Sequence, residues 1–193
     1  MAASPLRTDL QQLLDELDAV DRAVDTLVTP LSDEQFFWQP NEGRSWSIAQ
    51  CLEHLAVANT VYGKGIAEGL GTARAHGQAG GGPIASTVFG RLFVRSMEPP
   101  VKRRMRAPSK ILPPPGMTRE EILRLFREAH ARIREQIRAA AVIDVNRATF
   151  VNPFIRLVRM RVGTAFRVIT AHDRRHVWQA ENVRNAPGFP TAG

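Results

Sequence analysis

Two histidines four residues apart, His172 and His176, interrupt an otherwise apolar row of side chains. The row reads Val162, Ala165, Ile169, His172, His176, Ala180 and Val183, in steps of three and four, which is one face of an α-helix. Side chains four apart on a helix lie one above the other, so both imidazoles can converge on one ion with the backbone already fixed. A third histidine, His54, flanks a second row formed by Ile48, Cys51, Leu55, Ala58 and Tyr62. If those two helices pack side by side, three ring nitrogens surround one point.

Neutral imidazole is a good ligand for zinc, nickel and iron. Three protein ligands leave at least one position open, the pattern of a catalytic rather than a structural zinc site. A single histidine on an apolar face is usually a hydrogen-bonded core residue, but burying three without a shared purpose is costly. His54, His172 and His176 are therefore the expected ligands of a divalent metal ion (zinc, nickel or iron). No catalytic residue is assigned beyond them.

Neighbouring polar residues read less sharply. Gln179, three after His176, points toward the same cavity or serves as an interfacial amide. Glu53 and Asp173 adjoin ligand candidates, but adjacent helical residues point about 100° apart, so surface salt bridges are expected for both. His130 is expected at the surface or as a capping partner, and His76 in solvent. Cys51 reads as a small buried hydrophobe. Trp46 and Trp178 read as packing residues near the cavity.

Four long amphipathic segments must position these groups. The first opens at Ser4-Pro5, an N-cap followed by a favoured first helical position, and buries Leu6, Leu10, Leu13, Leu17, Val20, Val24 and Leu27. The second starts at Ser47, which has capping-box spacing to Gln50, and fades near Gly69 to Gly71. The third starts at Thr118, with the same spacing to Glu121, and buries Ile122, Phe126, Ala129, Ile133, Ile137 and Ala140. The fourth carries the two histidines and ends at Asn185 and Pro187. Strand patterns are scarce. The expected fold is all-α: a single domain over residues 1–193, a four-helix bundle of antiparallel neighbours with a long irregular crossover between helices two and three.

That crossover spans residues 72–117. Gly80-Gly81-Gly82-Pro83, Pro99-Pro100 and Pro113-Pro114-Pro115-Gly116 punctuate it. A short helix between Ile84 and Met97 is expected, anchored by Phe89, Leu92 and Phe93. Its apolar and basic mixture over Ile84–Arg106 suits a membrane-surface helix, but the stretch is short and a lid packed on the domain is the favoured expectation.

Composition narrows the class. Of 193 residues, 44% are apolar and 23% charged, ordinary values for a soluble globular chain. The longest apolar run is the five residues Ala139 to Ile143, far short of the roughly 18 a spanning helix needs. Acidic residues from Asp9 onward interrupt any signal-peptide core. One cysteine allows no internal disulfide, so a reducing, cytoplasmic location is expected. Charge is divided: residues 1–90 hold 5 basic and 11 acidic side chains, a net of −6, and residues 91–193 hold 21 and 8, a net of +13. A basic half can bind nucleic acid or anionic lipid. No nucleic-acid-binding signature accompanies it, and arginines outnumber lysines 23 to 3, so compositional bias and a solvated surface are favoured.

Arg44-Ser45-Trp46-Ser47-Ile48 leading to Glu53-His54-Leu55, followed by His172-Asp173-Arg174-Arg175-His176 and Gln179, resembles the DinB-like superfamily. The resemblance covers about Leu6 to Asn185. It implies a four-helix bundle holding one metal on three histidines, one from helix two and two from helix four. It also implies relatives that are thiol-dependent S-transferases, a thiol-dependent isomerase or loosely described metal-dependent hydrolases. The expected function is a metal-dependent enzyme that activates a water or a low-molecular-weight thiol toward a small-molecule substrate. Arg175 is a candidate to attract an acidic cosubstrate. Two alternatives stand beside it: a non-catalytic metal-binding stress-response module, homodimeric through its helix faces, and a nucleic-acid or anionic-surface binder.

Overall fold

The computed structural model describes residues 6–101, 116–155 and 157–191. The Ser4-Pro5 cap and the crossover's second proline run lie outside them. The long helices are α1 (Thr8–Val28), α3 (Ile48–Ala75), α5 (Arg119–Ala139) and α6 (Val162–Arg184); the short ones are α2 (Asp33–Phe37) and α4 (Val88–Met97). Three of them start on capping boxes, in which Ser32, Ser47 and Thr118 each exchange hydrogen bonds with the residue three later. The expected apolar rows of the second, third and fourth segments are buried apart from His172, which is half-buried; in the first, Leu6 is also half-buried.

The packed pairs are α1–α5, α5–α3, α3–α6 and α6–α1, so α1 stands diagonally across from α3, and α5 from α6. The helices joined by the shorter links, α1 to α3 and α5 to α6, are therefore opposite rather than adjacent, a correction to the expectation from link length, whereas α3 and α5, joined by the long crossover, are neighbours. Nor are all neighbours antiparallel. Gly63 lies against Ile133 and Gln136, and Arg74 reaches the Ala139 carbonyl, so α3 and α5 run the same way. A chain leaving α3 must travel back along a helix about 42 Å long before α5 can begin. The crossover makes that return, and α4 lies on it, packed along α6.

Within α4 the contacts differ from expectation. Met97 is buried and Phe93 and Val94 pack on the core, whereas Phe89 and Leu92, expected as anchors, are exposed. The helix carries apolar residues on two sides and can bury only one.

An antiparallel hairpin of β1 (Thr149–Val151) and β2 (Arg159–Arg161) lies in the link before α6; the sequence pattern did not disclose it. Its Phe150 ring fills a notch in α3 that has no side chain, since a Cβ on Gly65 would come within 2.7 Å of Phe150 Cε2. Phe150 is buried and cannot step aside. Gly65→Ala should therefore lower unfolding stability by about 1–3 kcal/mol in urea titrations despite alanine's better helix propensity.

Candidate metal centre

The apolar core divides into two clusters. One gathers Leu10, Leu17, Ile66, Ile133 and Ile169; the other gathers Val24, Leu52, Phe126, Val177 and Ala180. Between them α3, α5 and α6 carry buried polar residues and α1 the half-buried Asp21, and all three expected histidines lie in this middle layer.

α3 and α6 are neighbours, which brings His54 to the turn carrying His172 and His176. His54 Nε2 lies 3.3 Å from His172 Nε2. One ligand nitrogen from each of the three rings falls within 4.8 Å of the other two. A metal held about 2.0–2.1 Å from each nitrogen in a tetrahedral shell separates its donors by roughly 3.3–3.4 Å. The His54–His172 pair thus stands at the spacing a single ion requires, with the His176 nitrogen within 4.8 Å of both. Among the described residues no carboxylate or thiol joins the group.

Electrostatics favour the ligand form. Burial first, then His54 and Arg175, push the His172 imidazole down to about 4. Burial and the other two rings press His176 down further. Both are neutral at neutral pH, with lone pairs available. Trp46, fixed just ahead of the Ser47 cap, closes one side: its ring is 4.9 Å from His54 and stacks at 5.8 Å on His176. Gln179 lies against the His176 ring.

Three residues expected at the surface are buried instead. His130 is fully enclosed between Asp21 on α1, at 2.7 Å from Nδ1, and Asp173 on α6, at 3.3 Å from Nε2. The second contact is an ion pair without hydrogen-bond alignment. Asp173 also accepts a 2.9 Å hydrogen bond from Asn59 on α3. Each long helix thus contributes one residue to a polar cluster beside the imidazoles. Glu53 is buried as well, with Oε1 lacking a hydrogen-bond partner among the described residues, and burial pushes its carboxyl up to about 7. The acids of α1, together with an i, i+4 spacing that sets His130 beside Phe126, were the available signals. Which acid would face inward depended on the packing.

Arg175 is buried beside the ligand turn and donates to the Ser96 carbonyl at 3.2 Å, while Arg174 grips Glu98 and Glu16. The end of α4 is thereby tied to the His172–His176 turn. His76 is exposed and Cys51 buried, as expected; burial holds the Cys51 thiol far above its ordinary range, away from nucleophilic use. A groove lined by Arg22, Thr26, Leu27, Glu181 and Arg184 lies toward the C-terminal ends of α1 and α6 and includes none of the imidazoles.

Three imidazoles converging between two helices of a four-helix bundle form a candidate site for one metal ion. The chain belongs to the DinB superfamily, whose family model matches residues 8–180. Among solved structures it is similar to YfiT from Bacillus subtilis, described as "a probable metal-dependent hydrolase with an unusual four-helix bundle topology". The two share 14% identity with a TM-score of 0.55, over 98% of this chain and 94% of that one. No curated protein matches the chain.

Burial alone would lower the His130 imidazole, but Asp173 and Asp21 overcome it and raise it to about 9. A base whose folded pKa is raised stabilises the fold fully below its unfolded value, near 6.5, and loses that contribution as pH climbs through 9. His130→Gln should therefore flatten the fall in stability between pH 6.5 and 9.5 in denaturant titrations, at a cost of about 3–5 kcal/mol near neutrality from the stranded carboxylates. Glu53 carries the opposite lesson: an acid raised by burial destabilises once it ionises. Glu53→Gln should stabilise the protein more at pH 8 than at pH 5.

Proposed function

We propose that the protein is a metal-dependent enzyme in which His54, His172 and His176 hold one divalent ion and the open side of that ion acts on a small-molecule substrate. The observation that carries the reading is the 3.3 Å approach of two Nε2 atoms from different helices, with the third ring beside them, His54 and His176 buried and His172 half-buried. Zinc, nickel or iron suits an all-imidazole set. Such an ion, when bound, supplies Lewis acidity and lowers the pKa of a water or thiol.

The chain's own part is to hold three rings in place, to wall one side with Trp46 and to set Arg175 beside the ligand turn. No carboxylate stands among the ligands to serve as a base. A thiol needs less help than water to reach its reactive anion, so transfer from a low-molecular-weight thiol stands beside hydrolysis as the reaction type. Arg175 then favours an anionic substrate or cosubstrate. A cytoplasmic setting agrees with a single buried thiol and a thiol cosubstrate.

Metal analysis after loading with zinc, nickel or iron should give one ion per chain, and His172→Ala should lower occupancy at least tenfold. Stoichiometric retention by that variant would overturn the site. Because burial already holds His172 and His176 neutral, affinity should fall less between pH 8 and 5.5 than for three ordinary histidines, which would weaken steadily below 6.5. Activity of loaded protein against ester, amide and thiol-acceptor panels decides between hydrolase and transferase. Bound metal with inactivity throughout would favour a non-catalytic binding module.

A further inference from the structure

Two stretches of the chain are free of acids: none occurs between Glu68 and Glu98, nor between Asp144 and Asp173. They are distant in sequence but joined in the fold. Ala85 N–H donates to Asn146 Oδ1 at 2.8 Å, Asn146 donates back to the Pro83 carbonyl at 3.1 Å, and Arg167 donates to the Ile84 carbonyl at 3.1 Å. Gly90 of α4 then packs against Thr164 in the first turn of α6, and the hairpin leads directly into that turn. The start of α4, the link before it and the first turn of α6 therefore meet at one end of the bundle.

What they expose is apolar and cationic together. Phe89 on α4 is 85% exposed and Leu157 in the hairpin loop is 99% exposed, with Leu92 and Ile155 also outward. Arg91, Arg95, Arg159 and Arg161 are exposed among them. Of the acids that border the end, Glu98 pairs with Arg174, Asp9 with Arg7 and the Ile84 N–H, and Asp144 accepts from the Asn146 N–H, while Glu68 on α3 is exposed. Large side chains held fully in water have no folding purpose, and apolar tips between arginines match the interface of a bilayer whose headgroups are negative.

We propose that this end, α4 together with the β1–β2 loop, docks the protein on an anionic lipid surface. The charge pattern argues against a second copy as occupant, since a two-fold interface places the same patch on both partners and would set arginine against arginine. Nucleic acid would use the arginines but leave Phe89 and Leu157 in water. Docking here would place the α4–α6 face, and with it the tethered His172–His176 turn, near the membrane. The inference does not depend on metal.

Metal-free protein should co-sediment with vesicles of phosphatidylcholine containing phosphatidylglycerol, fail to do so with phosphatidylcholine alone, and bind at least fivefold more weakly in 0.5 M salt. The exposed-site variant Phe89→Ser/Leu157→Ser should keep its circular dichroism and lose at least about tenfold in partitioning. Arg91→Glu/Arg159→Glu should lose a similar factor. Absence of binding to the anionic vesicles, or equal binding by both variants, would overturn the proposal. So would a concentration-dependent dimer abolished by Phe89→Ser/Leu157→Ser, or a stronger, salt-sensitive affinity of the same face for duplex DNA.

Discussion

The imidazolium of His130 between two carboxylates is the interaction on which the rest of this bundle turns. A buried charge left unpaired costs several kcal/mol, so α1, α5 and α6 can associate only in the rotation that brings Asp21, His130 and Asp173 together. Asn59 adds α3 to the same set. Apolar ridges tolerate slippage and substitution; a charge layer between two apolar clusters does not. Asp173 is the residue next to His172, so the rotation that satisfies the carboxylate also turns His172 and His176 toward His54. Structural polarity and candidate chemistry share one level of the bundle and one turn of α6.

Topology has a comparable consequence. Parallel neighbours α3 and α5 oblige the chain to return along the bundle between them, and the return carries α4 onto α6. Arg174 and Arg175 then fasten the far end of α4 to the ligand turn. The same connection that solves a problem of chain direction thus builds one boundary of the site, and it leaves the second apolar side of α4 facing outward. The hairpin in the next link settles into glycine notches of α3, where ordinary side chains would hold it off.

The likeness to YfiT extends over nearly the whole length of both chains at 14% identity, which speaks for the architecture. Chemistry has to be argued from this chain's own donors. Three imidazoles with no carboxylate joining them among the described residues are a set that leaves much of an ion's coordination to other ligands.

Much was legible before any coordinates. Four helical periods, two capping boxes and the His172–His176 spacing are local facts, set by 3.6 residues per turn and by side chains that reach only their near neighbours. His54 was legible as a third donor because it flanks an apolar row. Which helices would touch was not legible, since link length permits both adjacent and diagonal partners. Nor was the burial of His130, Asp173 and Glu53, which looked like surface groups because their positions lie off the apolar rows. A helix at the centre of a bundle is covered on more than one side, and only the packing of all four decides which polar residues face inward. Hydropathy period is encoded residue by residue; the meeting of Asp21 with His130 across 109 positions is not, because it depends on the mutual rotation of whole helices.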